Sequence, residues 1–247
     1  MKILLTNDDG IDAKGIKTLE KVLASAHDVY VIAPDSQKSG SSNAFTVWDS
    51  MILKKIDDKH FSLSGYPTDC VNVGLKAGII PDVDCVVSGI NHGPNLGDDI
   101  FFSGTVGAAR MAYVTGKTGF AISLNSIEAD SPHFEDAAKF LLSFMENVPI
   151  NNELKLLNIN YPNIPLKDTA GKCCVKLAKR HYIDSFKYKT LDDGQIVLKL
   201  DTFPPINREQ NTDAAFIDQG YITITPLTTD CCQYDSFEQY KKILGNI

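Results

Sequence analysis

The amino-acid sequence predicts an α/β fold, a mostly parallel sheet with helices on both faces, expected as one domain over residues 1–247. Three observations predict it. The segment Ile3-Leu4-Leu5-Thr6 is a continuous, mainly apolar run suited to a strand buried on both faces, and it stops abruptly at Asn7-Asp8-Asp9-Gly10. Strand and helix periodicities then alternate through a core of roughly residues 1–170, as βαβ units require. From Lys172 onward the alternation gives way to β-rich segments, an extension of roughly residues 171–247 expected to reach out to a second subunit.

The individual elements follow from spacing. Lys14 to Ala24 carries Ile16, Leu19, Val22 and Leu23 at helical intervals, and Asp28 to Ala33 is the second strand. Short strands are expected at Phe45–Val47, Met51–Ile56 and Phe61–Leu63, with Asp57-Asp58 as a turn. A helix opens at Gly65-Tyr66-Pro67-Thr68 with Thr68 as its cap. Cys85-Val86-Val87 forms a further buried strand. After a long polar loop, Ser103-Gly104-Thr105 starts an Ala-rich helix. Gly119–Leu124 and Lys155–Asn160 read as strands flanking an amphipathic helix, His133–Met145. The extension holds strands at Cys173–Leu177, Ser185–Tyr188, Ile196–Leu200 and Tyr221–Thr225, then a helix at Ser236–Leu244.

Composition excludes several classes. Hydrophobic content of 43% with 22% charged residues is that of a globular protein rather than a disordered or fibrous one. No apolar run reaches the length of a membrane span, and the chain enters a strand directly instead of a signal segment, so a cytoplasmic protein without a membrane partner is expected. A net charge of -7 argues against a nucleic-acid polymer as partner, because phosphate attraction needs a basic face. The six cysteines include no CxxC pair, which leaves zinc ribbons and thioredoxin-like chemistry unsupported.

The chemistry concentrates at strand ends. Asp8 and Asp9 end the first strand on the side where open α/β sheets bind ligands, and adjacent carboxylates there call for a divalent cation of the hard, oxygen-seeking kind. Taken alone, the quartet serves equally well as a polar turn with capping acids. The second strand ends in Pro34 to Asn43, a loop of hydroxyls, amides and glycine. The Cys85 strand opens into Ser88-Gly89-Ile90-Asn91-His92-Gly93-Pro94-Asn95-Leu96-Gly97-Asp98-Asp99. Ser103-Gly104-Thr105 offers hydroxyls and free helix-start amides to a phosphate, and would equally cap a helix with no ligand. Convergence of three such loops on one sheet edge is the stronger signal. His92 stays outside the catalytic set, since most single loop histidines are structural.

These motifs, in this order, resemble the SurE family of stationary-phase survival proteins, which are metal-dependent nucleotidases. The resemblance rests on Thr6-Asn7-Asp8-Asp9-Gly10-Ile11, Ala33-Pro34-Asp35 with Ser39-Gly40, Asp69-Cys70-Val71, and Ser88-Gly89-Ile90-Asn91 through Asn95-Leu96-Gly97 to Ser103-Gly104-Thr105-Val106. Weaker echoes continue at Leu157–Asn160 and Gly220–Leu227. It implies a Rossmann-like fold with a C-terminal hairpin exchanged between subunits in a homodimer or tetramer. It implies hydrolysis of nucleoside 5′- and 3′-monophosphates with one Mg²⁺ or Mn²⁺ per subunit, held by Asp8, Asp9, Ser39 and Asn91. Asp8 or Asp9 would then act as general base, with Asn43, Asn95, Ser103, Gly104 and Thr105 binding phosphate or substrate. The sequence departs from the family at Gln195–Leu200, where relatives often carry a Tyr-Trp strand. Two other readings remain. A sensor of nucleotide or metal without turnover is one, and a broader acid phosphatase or exopolyphosphatase is the other. An aspartyl-phosphate phosphatase fits less well, because its acids are spaced DxD, and no GxGxxG follows the first strand to hold a dinucleotide.

Overall fold

The computed structural model describes residues 1–126, 133–149, 153, 155–180, 182, 184–201 and 209–245. Strand β1 (Lys2–Thr6) leads into helix α1 (Lys14–Leu23), then β2 (Asp28–Pro34), a β3–β4 pair (Leu53–Lys55 and His60–Leu63) and α2 (Pro67–Lys76). Strand β5 (Cys85–His92), a 3₁₀ turn (Gly97–Phe101), α3 (Gly104–Val114), β6 (Thr118–Asn125), α4 (Phe134–Asn147) and β7 (Leu156–Pro162) follow. The remainder contains β8 (Lys172–Cys174), β9 (Ser185–Thr190), β10 (Ile196–Asp201), α5 (Asp213–Ile217), β11 (Ile222–Pro226) and α6 (Phe237–Leu244).

Among the described residues nine strands form one sheet in the order β3-β4-β2-β1-β5-β6-β7-β11-β8, while β9 and β10 pair separately as an antiparallel hairpin. Strands β4, β2, β1, β5, β6 and β7 are mutually parallel. Only β3 and β11 run against their neighbours β4 and β7. Alternation along β1 distributes the core. Ile3 and Leu5 pack with Ile16 and Leu19 of α1 and with Phe134 and Leu141 of α4. Leu4 packs with Cys70 and Val71 of α2 and Ala108 and Ala112 of α3 on the other face. The expected parallel sheet with helices on both faces is therefore observed, together with the exposed C-terminal hairpin.

Local expectations fail where side chains far along the chain take over backbone groups. No strand forms at Phe45–Val47. The main-chain N–H and hydroxyl of Thr46 both donate to the Asp69 carboxylate, at 2.9 and 2.8 Å, and the Ala44 carbonyl accepts the hydroxyl of Thr68. Thr68 is accordingly no cap: α2 begins one residue earlier at Pro67, whose ring presets the first helical φ, and Tyr66 stands at the cap position. Strand β5 runs past Val87 to His92, shifting register against β6 between Ser88 and Asn91. The expected strand Cys173–Leu177 shortens to β8, and β11 enters the main sheet instead of extending away from it.

Candidate active site

Strand β1 lies between β2 and β5, parallel to both, with Leu5 opposite Val31 on one side and Val87 on the other. The loops after these three strands therefore leave the sheet at one edge. Asn7 shapes the first loop by donating its side-chain amide to the Gly10 carbonyl (2.9 Å), and Gly10 takes a positive φ of 101° that a side chain would resist. The second loop is tied to the first through Lys38 N–H on the Asp8 carbonyl at 2.7 Å.

A cleft of about 300 Å³ opens at this edge, lined by Asp8, Ser39, Asn91, Asn95 and Ser103 among others. Asp8 is only 3% exposed, and one carboxylate oxygen accepts the buried Thr105 hydroxyl. Burial pushes its carboxyl up to about 6; the Thr105 bond opposes this shift and the Asp9 charge adds to it. Asp9 faces a smaller adjoining cleft of about 190 Å³ with Gln37, His92 and Phe134. Its carboxylate accepts the main-chain N–H of His92 at 3.1 Å, and burial again raises its pKa, against the pull of that bond. Ser39 accepts from Gln37 at 3.0 Å. Asn91 commits its amide nitrogen to the Gly93 carbonyl at 2.8 Å, which leaves its amide oxygen for a ligand.

The donor chemistry fits a hard divalent cation. The buried Asp8 carboxylate feels the charge of the half-buried Asp9 and lies in a cleft with a hydroxyl and an amide oxygen, a repulsive arrangement that a cation relieves. Among the described residues no three His, Cys, Asp or Glu side chains gather into a metal-binding group, and the further oxygens in the cleft lining beside Asp8 include those of Ser39 and Asn91.

On the anion side, Ser103 caps α3 by accepting the Val106 N–H at 3.1 Å, which leaves its own hydroxyl proton to donate into the cleft. A Cβ at Gly104 would lie 2.6 Å from Ser41 Oγ and 2.9 Å from Asp8 Cβ, so glycine is what lets the helix start approach the acids. The Thr105 side chain is spent on Asp8 and only its backbone is left for an anion. Asn95 sits in a buried amide network. Its N–H donates to Asn160 (2.8 Å), one side-chain amide hydrogen goes to Ser123 (2.7 Å), and its carbonyl accepts from Asn158 and Asn160. Asn43 lies outside the cleft lining, exposed and accepting from Arg110 at 2.9 Å.

Sequence reasoning overlooked a second wall of the cleft. Asp99, Phe102 and Tyr182 also line the cleft, Arg180 pairs with Asp99 at 3.2 Å, and the Tyr182 hydroxyl donates to the same carboxylate. Behind them Asp213, fully buried, accepts the N–H groups of Gly97, Ala178 and Ala214, each at 2.8 Å. Their only sequence signal was the charge of Asp98-Asp99 and of Lys179-Arg180.

A family model described as "Survival protein SurE" matches residues 3–184. The "5'-nucleotidase SurE" of Petrotoga mobilis is 39% identical, with 99% of both chains covered. The "5'/3'-nucleotidase SurE" of Proteus mirabilis is 38% identical over 99% of this chain and 96% of its own. Among solved structures, the SurE protein of Aquifex aeolicus superposes with a TM-score of 0.84 at 30% identity, covering 99% of this chain and all of that one. A family match over most of the chain, relatives of nearly equal length and a shared architecture lead to one conclusion: the chain belongs to the SurE family.

Proposed function

We propose that this protein is a metal-dependent phosphomonoester hydrolase, a 5′/3′-nucleotidase that releases phosphate from nucleoside monophosphates. The observation that carries the reading is one cleft that joins the buried Asp8 to the open N-terminus of α3, with Asp9 on the adjoining cleft. The names of the full-length relatives, 5'-nucleotidase and 5'/3'-nucleotidase, support it. Asp8, Asp9, Ser39 and Asn91 would hold one Mg²⁺ or Mn²⁺ per subunit. When bound, the ion supplies charge neutralisation and Lewis acidity at the phosphoryl oxygens.

The chain's own groups complete the chemistry. The backbone amides of Gly104 and Thr105 and the hydroxyl of Ser103 bind phosphoryl oxygens at the helix N-terminus, where donors and dipole both favour an anion. Asn95, clamped by its amide network, adds a donor. A carboxylate oxygen of Asp8 or Asp9 accepts the proton of the attacking water. Asp8 and Asp9 at the end of β1 are adjacent rather than spaced DxD, so in this reading water rather than a carboxylate attacks phosphorus. The protein works as one domain in the cytoplasm. It assembles as a homodimer or tetramer through the extension, a reading supported by the exposed Phe186, Tyr188, Ile196 and Leu198 of the β9–β10 hairpin.

The test is phosphate release from a panel of nucleoside 5′- and 3′-monophosphates by metal-stripped protein, before and after Mg²⁺ or Mn²⁺, alongside Asp8→Asn. Release that needs the ion and falls by about 10³-fold in Asp8→Asn is expected. A folded wild type that binds nucleotide without turnover in either metal would instead establish the sensor reading.

A further inference from the structure

Two large aromatic side chains, Phe102 and Tyr182, are 64% and 41% exposed, and both line the cleft shared by Asp8 and Ser103. Their environments differ from that of an idle surface ring. Tyr182 is anchored through its hydroxyl to Asp99, and the other Asp99 oxygen pairs with Arg180, both partners being largely buried. The Arg180 guanidinium carbon stands 5.9 Å from the Tyr182 ring centre, and the Arg180 N–H donates to Asp98 at 3.2 Å. Ring and backbone are thus both held, and a flat apolar surface is presented with little orientational freedom left to lose.

Phe102 is fixed through its backbone. Its N–H donates to the Asp99 carbonyl at 3.0 Å and its own carbonyl accepts the Ser42 N–H at 2.9 Å. It immediately precedes Ser103, the cap of α3, so its ring lies in the same cleft as the helix start to which the phosphate is assigned. The cleft volume of about 300 Å³ lies at the small end of ligand sites, which run from about 300 to 1,000 Å³.

We propose that Phe102 and Tyr182 are the walls of a nucleobase subsite, and that Tyr182 is the residue that sets the preference for nucleotides over base-free sugar phosphates. The inference rests on the nucleotidase reading and deepens it. Recognition is by stacking, which every base satisfies because every base has a π face, so the subsite selects bases as a class with little discrimination among them. The hydroxyl of Tyr182 serves the ring's position, through Asp99, and the ring itself meets the base.

Steady-state kinetics on adenosine 5′-monophosphate and ribose 5-phosphate, under one divalent ion, test this in wild type, Tyr182→Ala, Tyr182→Phe and Phe102→Ala. The ratio of kcat/KM for the nucleotide to that for the sugar phosphate falls about 5- to 50-fold in Tyr182→Ala, through a higher KM for the nucleotide. Tyr182→Phe retains most of the preference, because the ring remains. Phe102→Ala, whose side chain makes no hydrogen bond, reproduces the selective loss even if Tyr182→Ala disturbs its segment. An unchanged ratio in both alanine variants overturns the subsite, and so does an equal loss on both substrates. A wild type that hydrolyses the two compounds equally well overturns the subsite but leaves the phosphatase standing; no release from any nucleotide removes the nucleotidase reading and the subsite together.

Discussion

Asp213 is the residue on which the overlooked wall of the site depends, and its removal has a calculable cost. The side chain has no exposed surface, and its two oxygens accept three main-chain N–H groups, from Gly97, Ala178 and Ala214, all at 2.8 Å. Gly97 is also held tightly by position, with a φ of +54° and the Ala178 carbonyl 2.3 Å from where a Cβ would stand. In Asp213→Ala three buried donors lose their acceptor, at about 1–3 kcal/mol each. Burial raises the Asp213 carboxyl against the three bonds that lower it, so part of that loss is returned when the charge goes, and a net cost of about 3–5 kcal/mol is expected. Asp213→Asn keeps the oxygen shared by Ala178 and Ala214 and turns a new N–H₂ toward the Gly97 N–H, for about 2 kcal/mol. Against a total stability of about 5–15 kcal/mol the alanine variant approaches unfolding at growth temperature. Urea denaturation followed by circular dichroism, at fixed metal concentration, measures both. Variants within about 0.5 kcal/mol of wild type would refute the count of bonds, and so would an asparagine as damaging as alanine.

Two further outcomes are expected. Thr105→Val deletes the buried hydroxyl that supports Asp8, and kcat/KM for phosphate release is expected to drop about tenfold with the circular-dichroism spectrum preserved. At the far edge of the sheet His60 bridges Glu20 (2.5 Å) and Asp57 (2.7 Å); burial lowers its pKa, but the two carboxylates outweigh burial and raise it above the usual histidine value. The folded state thus binds the proton more tightly than the unfolded chain. The His60 contribution is fully present below the unfolded pKa and is lost as pH rises through the folded one. His60→Gln therefore costs about 0.5–1 kcal/mol at pH 5.5 and little at pH 9, after allowance for solvent screening; equal costs at both pH values, from paired urea titrations, would contradict this.

The acidic side of the site was legible because its residues sit at the ends of consecutive parallel strands, where topology fixes the neighbours. Ile3–Leu5 is buried on both faces and therefore apolar throughout, and such a strand announces where its polar loop begins. Ser103 was equally readable, since a cap is a local event. The second wall was not readable. Arg180 and Tyr182 meet Asp99 across some eighty residues of sequence, and no periodicity encodes that distance. Five-residue α5 is too short to show a helical repeat. Phe45–Val47 misled for a related reason: its β-forming residues have their backbone partners on α2, and a strand signature cannot report which groups a distant aspartate will claim.

Strand β11 has a consequence for the order in which the protein becomes whole. It lies between β7 and β8, so β8, made some fifty residues earlier, has no neighbour to pair with until β11 arrives. The same late stretch brings Asp213, which fastens the Gly97 turn to Ala178. A nascent chain emerging from the ribosome can thus assemble β1 through β7 and all three acidic-side loops while Arg180, Tyr182 and Asp213 of the other wall are still to come. The residues assigned to cation and phosphate thus come together before Asp213 locks the wall that carries Tyr182, so base selection is the part of the site completed late.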